Sequence, residues 1–99
     1  MATYISLINF REQGIRGIAQ TCDRAAAFKA KAKKMGVKVS EIYWTLGAFD
    51  GLLIFEAEDE ATATAAMLAL ASGDNVATQT TRAFDAAEMK AILTRLPPV

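Results

Sequence analysis

Few residues in this 99-residue chain are of a type and placing that could do chemistry. Asp50, in the corner Gly47-Ala48-Phe49-Asp50-Gly51, and Glu56 are the carboxylates that could act as a base, and Arg82 could stabilise negative charge developing on a substrate. Histidine is absent, which removes the commonest general base and metal ligand and leaves Ser6 and Ser40 without the partner a hydrolytic triad uses. Cys22 stands alone, with a thiol that a helix start could activate, although single cysteines are more often small buried hydrophobes. Glu56, Glu58, Asp59 and Glu60 put four carboxylates in five residues, a pattern that suits a helix start better than a metal site, with Asp59 as the N-cap. Lys29, Lys31, Lys33, Lys34 and Lys38 concentrate positive charge, but they avoid the apolar positions and no aromatic residues interleave with them, so they read as a solvated helix face. No glycine-rich phosphate loop or cysteine ligand cluster occurs, so no cofactor and no metal is expected.

Composition narrows the function classes further. Eleven basic residues balance eleven acidic ones, which gives no net field toward nucleic acid or a membrane surface. The longest apolar run is far shorter than the roughly 20 residues of a membrane span. A lone cysteine and the lack of a signal-peptide pattern point to a reducing cytoplasm. A hydrophobic content of 53% in a chain of this length predicts one folded domain over residues 1–99, on the apolar side of the average.

The stretch from Ile42 to Glu56 organises the elements that must position these residues. Tyr43-Trp44-Thr45 and Leu52 to Phe55 are two strand-forming runs around the corner, read as a β-hairpin in which Gly47 and Gly51 allow unusual backbone angles and Asp50-Gly51 is a turn pair. Before it, residues 3–10 alternate Ile5, Leu7, Asn9 against Tyr4, Ser6, Ile8, Phe10, and the second set is a candidate pocket wall. Gly14 and Gly17 restrict residues 11–19 to a short or irregular helix. Thr21 or Asp23 is the expected cap of a longer helix with Ala25, Phe28, Ala32 and Met35 on its buried stripe and Gly36 at its end. The second strand, from about Val37 to Leu46, alternates Val37, Val39, Glu41, Tyr43, Thr45 against a set that becomes apolar late, at Ile42, Trp44 and Leu46. A helix from Glu60 to Ser72 buries Ala63, Ala66, Met67 and Leu70 and stops at Gly73. A threonine-rich edge strand follows from about Asn75 to Phe84. Asp85 and Glu88 then form a capping box, with Phe84 and Met89 at staple positions, for a last helix striped by Met89, Ile92, Leu93 and Leu96 that Pro97-Pro98 ends.

The order β-α-β-β-α-β with a terminal α predicts an α+β fold: a ferredoxin-like plait of two split β-α-β units, a four-stranded antiparallel sheet ordered 4-1-3-2, and helices on one face. The first and third strands are apolar on both faces, so the open face is expected to meet a second copy. Three segments resemble the GYD domain family: Thr3 to Phe10 followed by Glu12-Gln13-Gly14-Ile15, Tyr43 to Asp50, and Thr80-Thr81-Arg82-Ala83-Phe84. In that family's Gly-Tyr-Asp signature one residue usually separates Gly from Tyr, and Gly47, Phe49 and Asp50 occupy those positions, with phenylalanine for tyrosine. The resemblance implies the ferredoxin-like fold and the dimeric α+β barrel group, and it implies no established activity.

Two function classes follow, and a third competes with them. The preferred one is a homodimer, or a higher oligomer, that holds a small apolar or aromatic ligand between its sheets among Tyr4, Ser6, Tyr43, Thr45, Phe49, Thr80 and Arg82. The alternative is a cofactor-independent enzyme of oxygenase or isomerase type with Asp50 or Glu56 as base and Arg82 as the charge stabiliser. A purely structural oligomer would have a barrel too well filled to admit a ligand.

Overall fold

A computed structural model describes residues 1–98. The chain forms β1 (Ala2–Phe10), α1 (Glu12–Arg16), a 3-10 turn (Ile18–Gln20), α2 (Thr21–Lys34), β2 (Lys38–Trp44), β3 (Gly51–Ala57), α3 (Glu60–Ala71), β4 (Val76–Ala83) and α4 (Ala86–Leu93). The strands make one antiparallel sheet in the order β2-β3-β1-β4, the order predicted for the plait. No described helix is long and apolar enough to cross a membrane.

Strand alternation decides which residues reach the helices. Tyr4, Ser6, Leu53, Phe55 and Ala57 are buried beneath α2 and α3, with Phe28, Ala32, Ala63, Ala66 and Met67 packed on them from the helices. The Tyr4 and Phe55 rings stack with centroids 5.3 Å apart, a cross-strand aromatic pair that ties the two central strands at the middle of the core. The alternation expected for β2 is broken by a bulge between Val39 and Glu41. The extra residue puts Val37 and Val39 on the same face as Ile42 and Trp44, which is why the apolar phase of the sequence changes partway along the strand.

The helix ends follow local chemistry with two departures from expectation. Gly36, at φ +83°, and Val37 donate to the carbonyls of Lys33 and Ala32, closing α2 in a Schellman motif. Asp59 accepts from Thr62 N–H at 2.8 Å and caps α3, and the Asp85–Glu88 capping box of α4 is complete. Thr21 and Asp23, however, do not cap α2: Gln20 is the N-cap, without a side-chain bond, because the 3-10 turn leads straight into the helix. Past α3 the left-handed residue is Asp74, at φ 62°, rather than Gly73.

One part of the chain is left without cover. Met89, Leu93 and Leu96 on the α4 side are 45, 49 and 66% exposed. The radius of gyration is 15.4 Å, against about 13 Å for a compact domain of about 100 residues, and the long axis is 55 Å. A well-capped helix thus projects from the domain with its apolar stripe in solvent.

Candidate functional site

Two surfaces present themselves, one on each side of the sheet. The open face carries the cross-strand pairs Ile5↔Ile54 and Leu7↔Leu52, all partly exposed, with Tyr43 beside Leu52 and 53% exposed. Glu41 shares this face, and it raises the Tyr43 phenol above its ordinary pKa through hydrogen bonding first and charge second. Glu56 lies on the same face at its edge, 4.0 Å from Lys38.

The opposite side holds a groove of about 290 Å³ between α2, the end of α3 and the corner end of the sheet. Ile8, Ile42 and Leu53 of the sheet form its floor, and Phe28 and Leu70 form its walls. Trp44 closes one end, its indole N–H donating to Thr21 Oγ1 at 3.0 Å. Arg24 borders the groove and donates to the carbonyls of Gly17 and Gly14 at 2.7 and 3.1 Å, holding α1 against α2. Asp50 borders it from the corner.

The expected ligand residues are not gathered in one place. Tyr4 and Ser6 face the helices and are buried; Ser6 Oγ accepts from Thr80 Oγ1 at 2.9 Å, so its hydroxyl is engaged within the sheet, and Thr80 itself is exposed. Arg82 donates to Thr3 O and Ala83 O, pairs with Glu88 at 2.7 Å, and lies over the Tyr4 and Phe84 rings at 5.7 and 4.6 Å. Its charge is spent on joining α4 to the sheet, and it holds the Glu88 carboxyl below its ordinary pKa, helped by the Asp85 N–H. Tyr43 presents its ring to the other face. Thr45 donates to Phe49 O at 2.6 Å within the corner, and Phe49 is half-buried outside the groove.

Neither do the three candidate catalytic residues converge. Asp50 accepts from Phe10 N–H at 2.8 Å through Oδ2, and its own N–H donates to Ile8 O. Arg82 is registered with Tyr4 and Glu56 with Thr3, so both stand four or more residues away along β1, about 14 Å or farther. Arg82 and Glu56 are moreover on opposite faces of the sheet. Asp50-Gly51 is also not the turn pair: the connection runs over residues 45–50, and Gly51 is the first residue of β3, where a Cβ would meet Tyr43 O at 3.1 Å and Ile8 Cβ at 3.5 Å. Of the two corner glycines only Gly47 has a left-handed φ, of +123°.

Sequence reasoning missed the groove and its Arg24. A signal was present, because Arg24 is in phase with Phe28 and Ala32 on the buried stripe of α2, where a charged residue must find partners. Gly14 stands out in the sequence only for its low helix propensity, whereas its role is close approach: a Cβ there would stand 2.1 Å from Asn75 O.

Comparison with known proteins gives this geometry a family. A protein of Thermus thermophilus named glutamine synthetase and cystathionine beta-lyase binding protein is 34% identical over 94 residues, which span 94% of this chain and 99% of that one. A crystal structure of a Thermus thermophilus protein superposes with a TM-score of 0.57 at 23% identity, over 87% of this chain and 96% of the other, and shares the fold. The GYD domain family matches residues 4–93, from the third residue of β1 to the last residue of α4, and the chain belongs to that family.

Proposed function

We propose that this chain is a non-enzymatic binding protein that works as a homodimer, its two open sheet faces packed together in an α+β barrel and α4 reaching across to the second copy. The observation that carries the reading is the uncovered apolar block Ile5, Leu7, Leu52 and Ile54 on the two central strands. A sheet apolar on both faces is stable in water when both are covered, and α2 and α3 cover one. The projecting stripe Met89, Leu93 and Leu96 gives the same indication from a second element. Binding rather than turnover is supported by how Asp50 and Arg82 are used, each committed to holding backbone or helix in place. Protein partners are within this reading, since a relative of nearly equal length carries the name of a protein that binds two enzymes. The exposed single Cys22 suits a reducing cytoplasm.

Light scattering at micromolar concentration tests the dimer. Wild type is expected at twice the chain mass, with an interface of about 1,600 Å² or more, and Ile54→Lys, which places a charge in the middle of the open face, is expected at the chain mass with its circular dichroism retained. A wild-type monomer, or an Ile54→Lys dimer, overturns the reading.

A further inference from the structure

The groove under α2 has no part in the proposed dimer, because it opens on the helix side of the sheet. Its floor and walls are aliphatic and aromatic, and its volume of about 290 Å³ equals the share of roughly ten waters in the liquid, at the small end of the range for ligand sites. Two cations border it, Arg24 and Lys31, against the single carboxylate of Asp50. Among the described residues neither cation forms an ion pair: the terminal nitrogens of Arg24 bind neutral carbonyls. Asp50 is already bonded to Phe10 N–H through one oxygen. An apolar slot with surplus positive charge at its rim selects an apolar body with one negative group.

From this arrangement we infer that the groove binds a small monoanionic apolar molecule, an aryl or arylalkyl carboxylate, with the ring between Phe28 and Leu70 and the carboxylate toward Lys31 and Arg24. The inference deepens the binding reading by naming a ligand class. It does not depend on the dimer, since the two surfaces lie on opposite faces.

Trp44 is the chain's one tryptophan and it lines the groove, so its emission reports occupancy directly. Wild type is titrated with benzoate, phenylacetate and 4-phenylbutyrate and with the neutral amide of each. At least one acid is expected to shift the emission saturably below about 1 mM, with its amide at least about tenfold weaker. Lys31 is exposed and among the described residues its side chain forms no ion pair or hydrogen bond, so Lys31→Gln is expected to fold normally, to weaken that acid about fivefold and to leave the amide unchanged. Leu70→Trp, which fills the slot, is expected to abolish both responses, read by calorimetry because it adds a second indole. No saturable response to any acid, an amide that binds as well as its acid, or full acid affinity in Lys31→Gln would each overturn the proposal. Light scattering on the same samples reads the dimer separately, so a failed groove and a failed dimer are told apart.

Discussion

Gly14→Ala is the substitution whose effect reverses what the sequence implies. In an exposed helix the exchange gains about 1 kcal/mol. Here the new Cβ would lie 2.1 Å from Asn75 O and 3.0 Å from its carbonyl carbon, both backbone atoms of the turn that leads into β4. An ordinary carbon–oxygen contact is about 3.3 Å or more, so α1 must move away by roughly 1.2 Å. That movement strains the bond from Arg11 N–H to Asn75 O, 2.8 Å, and those from Gln13 Nε2 to Gly73 O and Asn75 Oδ1, 2.9 and 3.1 Å. Overpacking of about 1 to 3 kcal/mol and a lost hydrogen bond of about 1 kcal/mol, less the propensity gain, leave a net destabilisation of about 1 to 3 kcal/mol. Urea denaturation at matched protein concentration should show the midpoint falling by roughly 0.7 to 2 M, for an unchanged m-value of about 1.5 kcal/mol/M. Gly73→Ala is the control: its Cβ would meet only Leu70 O at 3.6 Å and Asn75 Nδ2 at 3.7 Å, so a change within about 0.5 kcal/mol is expected. A Gly14→Ala protein as stable as wild type would refute the close-approach argument.

The remaining predictions concern the corner and the last helix. Asp50→Ala leaves Phe10 N–H without its acceptor and should cost about 1 to 3 kcal/mol, while Asp50→Asn keeps an acceptor oxygen and should cost less than half as much; equal losses would show that the charge and not the bond matters. Asp85→Ala removes the acceptor for Glu88 N–H and should cost about 0.5 to 2 kcal/mol of α4 stability, seen as faster amide exchange at Glu88 and Met89 while the sheet amides stay protected; unchanged exchange would dismiss Asp85 as the cap. The Glu88 carboxyl is depressed below its ordinary value, so its contribution is complete above about pH 4.5 and is lost as pH falls through the folded-state value: α4 should fray on acidification, and Glu88→Gln should remove that dependence.

Where local chemistry decides structure, the sequence was sufficient. The helix stops and starts at Gly36, Asp59 and Asp85 depend on residues within a few positions of each other, and each forms as its own neighbours require. The strand order follows from the element order and the handedness of two crossovers, so it too was legible. Phe28, Ala32, Ala63, Ala66 and Met67 were readable as core from helical periodicity alone.

The site was not legible in the same way, because it depends on which way a strand faces and on what meets it from far along the chain. Tyr4, Ser6, Thr80 and Arg82 share one face, as alternation requires, but only the packing of α2 and α3 determined that Tyr4 and Ser6 would be buried on it, while Thr80 on the edge strand stays exposed and Arg82 half-buried. The bulge in β2 turned Tyr43 to the opposite side from Val39 and brought Ile42 to Val39's side, a phase change that a strict two-residue period cannot express. Asp50 looks like a turn residue because its neighbour is glycine; its partner is Phe10, forty positions away, brought there by strand pairing. Gly14, Arg24 and the groove belong to the same class, each defined by contacts between segments that only the folded chain brings together. The sequence determined the elements and their order through short-range rules, and tertiary structure alone decided the site, because a site is made of separations in space that carry no fixed separation in sequence.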